Sequence, residues 1–564
     1  MERKEESPVT GRYVVLLLAL FVLVSIGPPA TAGDSFWHGA DISDSGPTGL
    51  IPYEKHWELH KYLAELIPSW ALNGGMVRMP AGEQILDGDR GVRIHKPSKT
   101  WPGFTLLNSF SPATIQTKKG PKTGNVVLID MYGKIVNVWN FPGPGFNSAA
   151  KLLPGGHVVG STPTGYVQLD WYGNPVNTWP NTAVHHDHER EGNPCGYFAP
   201  YQKPKTYGGK ILTLEYDNPP KDETLHICRT KPIQDDLIRE LDWNGLELFR
   251  WQARDHINDM DLGEAGRNAI HLGHNGGGPP PNDDHNQYAV EDWSHGNAVA
   301  WLGPNKWWSQ HYDGRFHPEN IIADFRSLNI TIIIARHDDR YGKWQAGQII
   351  WKLGPDYSSI GDDGKVGQII GQHMAHMVPM YMPGEGNILL FDNGGGAGYG
   401  ALLAGLTMPD GYTTDDGPLP NVGARPPAGE KLGFWPNKFR KYSRVLEINP
   451  ITKQLEWEYK QPHPTKDLNN DGKLRGNEKL FYSDIMSGCQ RLMNGNTLVT
   501  EADTGRIMEV TRKGEVVWEY ASNFLPFTPP PGMFGIFVAG VYRAYRVPEW
   551  WIPHKYLWEA KHCK

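Results

Sequence analysis

NVVLIDMYGKIVNVWN, residues 125–140, reads as strand, turn, strand, closed by a tryptophan. The same shape returns in GYVQLDWYGNPVNTWP (165–180), LIRELDWNGLELFRWQ (237–252), RVLEINPITKQLEWEY (444–459) and RIMEVTRKGEVVWEY (506–520). GQIIWKLGPD (347–356) is a degenerate copy. Between copies, Leu-Pro-Gly-Gly-His (153–157) and Met-Asn-Gly-Asn-Thr (493–497) are turn signals leading into apolar strands. A single β-hairpin unit cannot bury both of its faces, so five clear copies and one weak copy predict an all-β, six-bladed β-propeller.

Composition agrees. The chain has 564 residues, with 65 Gly, 46 Pro, 21 Trp and 24 Tyr, the usage of short strands and tight turns. Net charge is -7 and the basic residues do not cluster, which argues against nucleic acid as a partner. The expected propeller spans 105–545, with a tail at 546–564. Ahead of it, residues 33–104 form a short extension whose Tyr53–Ala71 stretch has helical apolar spacing. Arg3, Lys4 and Arg12 precede an apolar run, Tyr13 to Ile26, and then Ala30-Thr31-Ala32. That pattern predicts a signal peptide over 1–32, export to the periplasm or medium, and no stable membrane span after cleavage.

Propellers bring the innermost strands of several blades together at an axial channel, so clusters at comparable blade positions are read jointly. His185-His186-Asp187-His188-Glu189 offers ligand types for a metal, but in an extended strand His186 and His188 share one face and His185 and Asp187 the other. In DWSHGN (292–297), His295 and Asn297 fall on one strand face. Thr331 to Ala335 is an apolar strand that delivers Arg336 and His337 to its polar end, where a guanidinium suits an anionic substrate. His373 and His376 precede a turn and the strand Asn387 to Phe391, followed by Asp392-Asn393-Gly394.

The ordered set HHD, DWSHGN, ARHD and QHMA with ILLFDNG resembles the bacterial arylsulfate sulfotransferases, over roughly residues 104–545. The resemblance implies a secreted six-bladed propeller that passes a sulfuryl group from an aryl sulfate to a phenolic acceptor, with no nucleotide sulfate donor and no cofactor. It implies His373 as the nucleophile, His186, His295 and Arg336 as groups that hold sulfuryl oxygens and help proton transfer, and Asn297 as a further donor. His376 competes with His373 and His185 with His186, because the loop before ILLFDNG carries the extra residues Pro383-Gly384-Glu385-Gly386. The alternatives are a propeller that binds ligands or partners without catalysis, and a metal- or quinone-dependent propeller oxidoreductase. Trp307, Trp308, Tyr312, Trp344, Tyr381 and Tyr399 are available to stack an aryl acceptor.

Two further expectations stand apart. Residues 467–478 fit a twelve-residue calcium loop, with Asp467, Asn469, Asp471 and Glu478 at positions one, three, five and twelve, or else a polar hairpin turn. Among the four cysteines, Cys195 and Cys228 flank one strand and are the expected disulfide pair in an oxidising compartment, the other reading being buried or free thiols.

Overall fold

The computed structural model describes residues 50–51, 91–117, 120–141, 149–180, 182–271, 290–354, 366–367, 369–394, 397, 439–440, 442–461, 481–483, 485–502, 504–522 and 541–553. The expected signal peptide, the helix over 53–71, the calcium loop, Tyr399 and Cys563 lie outside them.

Six antiparallel sheets stand in a ring, the six-bladed β-propeller the repeats predict. From the channel outward, one blade is Lys151–Leu153, His157–Thr162, Gly165–Leu169 and Pro175–Pro180. The next begins at Val184–Arg190, and the following two at Gly296–Trp301 and His373–Met377. The sixth begins at Gly488–Arg491. The remaining sheet is closed across the chain: Val541–Val547 is its inner strand and pairs with Phe104–Thr117. Gly91–His95 adds an outer strand beside Val516–Ala521, so the propeller sheet takes in the last residues assigned to the extension.

The repeat that reveals the fold is the outer hairpin of each blade, and its tryptophan is a clasp. Trp139 Nε1 donates to Asp170 O, Trp179 to Asp242 O and Trp251 to Gly347 O. Trp351 donates to Pro450 O, Trp457 to Arg512 O and Trp518 to Met131 O, which returns to the first blade. Each indole thus fills a blade-to-blade seam and ties its N–H to the next blade's turn. The turns are built for this: Asp170 Oδ1 accepts from the backbone N–H of Tyr172 and Asn174, and Gly173 takes φ 91°, which a side chain would resist. In the degenerate copy only the outermost strand, Ile349–Leu353, belongs to the pattern, because a long connection after Ile334 replaces the tight turn.

The expected disulfide is not formed. Cys195 and Cys228 are free, buried thiols in different core clusters. Flanking the strand Ile211–Asp217 is what separates them: Cys195 follows the strand end that pairs with Ile211, and Cys228 follows the Asp217 end. Seven extended residues put those ends roughly 20 Å apart, far beyond the reach of a disulfide. A reducing agent should therefore leave the melting temperature unchanged. Recovery of a Cys195–Cys228 linked peptide from a nonreducing digest is the contrary result.

Candidate active site

The five longer inner strands run in the same direction, and the candidate residues sit at the ends where those strands begin. His185 and His186 open one, His295 immediately precedes the next, and His373 opens the third. Met486 lies just before Gly488, and Tyr542 and Arg543 open Val541–Val547. Pairing slips at these ends in four blades, between Val184 and His188, Gly296 and Ala298, His373 and His376, and Val541 and Ala544. A bulge re-aims side chains that strict alternation would send to opposite faces. This is why His185 and His186, expected on opposite faces, both meet His295, with ring centroids at 5.3 Å and 4.8 Å. His295, Met374 and Met486 also hold left-handed backbone (φ 49°, 55° and 52°), and such strain gathers where geometry is being enforced.

His373 has a defined tautomer. Its Nδ1 faces two acceptors, Gly371 O at 3.0 Å and Asn393 Oδ1 at 2.8 Å. The amide orientation of Asn393 is fixed, because Nδ2 donates to Ser483 O and Met486 O. Nδ1 therefore carries the proton and Nε2 the lone pair, which accepts from the Met486 N–H at 3.1 Å. Burial, then the positive charges of Arg543 and Arg326, hold this imidazole well below its usual value. Burial and the neighbouring His185, His295 and His373 do the same to His186. Both rings are neutral at neutral pH.

The other two histidines are each set against a carboxylate. His295 Nδ1 is 2.5 Å from Asp292 Oδ2, and His185 Nδ1 is 3.0 Å from Asp236 Oδ1. Burial would raise Asp292, but His295 more than offsets this and holds it below the usual carboxylate range. Asp236 is itself pinned by the Ser294 hydroxyl and the Gly296 N–H. Tyr216 stacks on His185 at 3.7 Å between ring centroids, and Tyr542 lies 5.9 Å from His186, so two aromatic walls border the cluster.

The cations are not the expected ones. Arg336 and His337 lie at the opposite end of their blade, about 17 Å away along the strand Gly296–Trp301. There Arg336 Nε pairs with buried Glu240 at 2.9 Å, and its guanidinium covers Phe249. His337 is exposed and bonded to Glu319 at 2.8 Å. The apolar strand that was expected to deliver Arg336 does so, but it runs away from the histidines. The cations that stand near the histidines are Arg326 and Arg543. Arg326 opens the short turn Arg326–Leu328 at the near end of the same hairpin, and its N–H bonds His295 O. Its charge bears on both His373 and Asp292. Arg543 is fully buried, donates to Ser487 O and Asn297 O, and pairs with Asp187 at 3.2 Å. Gly488 makes room for it, since a Cβ there would come within 2.6 Å of Arg543 Cγ. Sequence offered one signal for each: an arginine ending the apolar run Ile321–Phe325, and another inside the apolar strand Val541–Val547.

The remaining expectations separate cleanly. His376 is excluded from the cluster, with Nε2 bonded to Tyr197 OH and Nδ1 to Met374 O in the core. Asn297 reaches the inner strands, where its amide donates to Gln372 O. Trp307 is turned away: its Nε1 bonds Gly386 O beyond the far strand ends, where Tyr381 meets Tyr201.

No family model and no curated protein matches the chain. Among solved structures it is similar to a protein of unknown function from Bacteroides caccae, at 10% identity and TM-score 0.34, over 80% of this chain and 100% of that one. It is also similar to a streptogramin B lyase at 10% identity and TM-score 0.31, over 78% and 96%. A periplasmic gluconolactonase from Pseudomonas aeruginosa matches at 9% identity and TM-score 0.29, over 79% and 99%.

Proposed function

We propose that this chain is an exported arylsulfate sulfotransferase, moving a sulfuryl group from a small aryl sulfate to a phenolic acceptor through one imidazole, that of His373. The observation that carries the reading is the neutral, tautomer-locked ring of His373 set beside the imidazole cluster of His185, His186 and His295 and two guanidinium groups. Sulfuryl transfer is an in-line exchange whose charge sits on the peripheral oxygens, so fixed cations around an uncharged nucleophile are the groups it needs.

In the first half-reaction the Nε2 lone pair attacks sulfur, the bond from sulfur to the aryl oxygen breaks, and the phenolate leaves with that electron pair. The Met486 N–H, now bonded to Nε2, becomes a donor to a sulfuryl oxygen. Arg326 and Arg543 balance the charge on the others, and Asn297 is within the same inner-strand layer to contribute. His295, backed by Asp292, gives a proton to the phenolate and takes one from the acceptor phenol in the second half-reaction. Tyr216 and Tyr542 flank the ring of the donor or acceptor. Neither half-reaction calls on a cofactor.

Incubation with an aryl sulfate and no acceptor should give one sulfuryl adduct by intact mass, labile to acid and mapped to His373. A protein that binds aryl sulfates but forms no adduct and releases no phenol is the non-catalytic binding propeller instead.

A depressed pKa has a kinetic signature. An imidazole with the ordinary value near 6.5 would lose about thirtyfold in rate by about pH 5, as protonation removes its lone pair. Burial and the charges of Arg543 and Arg326 hold His373 well below that value, so its acid limb is displaced to lower pH. With 4-nitrophenyl sulfate, whose leaving group needs little proton assistance, the burst of phenolate release should show its acid limb at lower pH than an ordinary imidazole would. An acid limb at 6.5 in the burst contradicts the assignment.

A further inference from the structure

The three imidazoles beside His373 make a second kind of site. One ring nitrogen of each of His185, His186 and His295 lies within 4.8 Å of the other two. Asp236 stands at Nδ1 of His185 and Asp292 at Nδ1 of His295, leaving Nε2 of each as the nitrogen with a lone pair to give. His185 is 1% exposed, and both of its ring nitrogens are enclosed without a hydrogen bond, Nδ1 standing 3.0 Å from Asp236 Oδ1. His186 likewise encloses an unpartnered Nδ1. A carboxylate behind a histidine fixes the tautomer and raises ligand basicity, the support metal-ligating histidines almost always have. Three imidazoles with a fourth position open suit a zinc-type ion, whose ligand nitrogens stand about 3.3 Å apart in a tetrahedron, so modest ring rotations close the site. Arg326 and Arg543 oppose a cation here. Asp187 already answers Arg543, at 3.2 Å, and the carboxylates of Asp236 and Asp292 attract the metal.

We infer that His185, His186 and His295 bind one divalent transition-metal cation, and that the bound metal shuts off sulfuryl transfer. The metal takes the place of the proton on the ring nitrogen through which His295 gives and takes it, and its charge holds the ring in place. The shut-off rests on the proposed function; the binding does not.

The test uses the full chain, stripped with a chelator and titrated with cobalt(II). One equivalent should develop the intense visible bands of tetrahedral cobalt, displaced by zinc. His185→Gln and His295→Gln should each remove the bands while the variants still melt cooperatively, and Asp236→Asn should weaken binding about 10- to 100-fold. Absence of bands and of zinc-binding heat overturns the inference. So does binding that survives in both histidine variants and is lost in His337→Gln, which places the metal at the exposed His317, Glu319 and His337 group. Stoichiometric zinc should abolish turnover, and chelator should restore it. Cobalt binding in a chain inactive even after chelation keeps the site and rejects the sulfotransferase reading, whereas full activity with zinc bound rejects the shut-off.

Discussion

Replacing His373 by asparagine should abolish turnover, with a loss on the order of 10⁴-fold or more, the scale on which covalent machinery fails when its nucleophile is removed. The adduct should vanish from the mass spectrum as well. Stability should change far less. The cost is the Met486 N–H left without its acceptor, about 1–3 kcal/mol for a buried donor. His376→Asn should behave in the opposite way. It removes the imidazole partner of the buried Tyr197 hydroxyl and lowers the melting temperature, yet the folded protein should still form the adduct. The two variants are to be compared by burst amplitude per folded molecule. An adduct that persists in His373→Asn and disappears in His376→Asn would move the nucleophile into the core position and sink the tautomer argument.

The second large effect separates two arginines ten residues apart. Arg326→Ala should cost about 2–4 kcal/mol of transition-state stabilisation, roughly 10²- to 10³-fold in kcat/KM, as loss of a preorganised charge donor does. Arg336→Ala should leave kcat/KM within a few-fold. Its penalty belongs to folding, because Glu240 is fully buried and keeps only Trp301 and the more distant Lys210 as partners. Kinetics and thermal melts on the same preparations distinguish the outcomes. A crippled Arg336→Ala enzyme with a normal melt would return the role to the residue that the ARHD motif suggested.

Those two arginines also show where sequence reading stopped. The blade repeat was legible because a turn aspartate, a turn glycine and a clasping tryptophan recur at fixed offsets, each for a local reason visible in one hairpin. That the histidines at 186, 295 and 373 gather was legible because clusters at comparable blade positions meet at the axial channel of a propeller. Which end of the strand meets the histidines was not legible, since Arg326 and Arg336 flank the same apolar strand and nothing local tells one end from the other. The strand face of His185 was misjudged for a related reason. Alternation assumes an unbroken ladder, and the slip between Val184 and His188 depends on partners about thirty residues away. The disulfide failed likewise, because nearness along the chain to one strand says nothing about which of its ends each thiol occupies.

The strand Val541–Val547 closes the ring against Phe104–Thr117 and also carries Arg543. A single contact, the Asn108 amide on Arg543 O, joins positions 435 residues apart. The chain thus reaches its central cation through the longest-range strand pairing among the described residues, a contact expected to form slowly because so much chain must be brought together first. Until that strand docks, Asp187 lacks Arg543 and the inner strands lack the donor to Asn297 O and Ser487 O. On the proposed function, catalytic competence and circular closure are one event. A nascent, clipped or half-folded propeller would be silent rather than partially active, which makes turnover a direct assay for the completed circle.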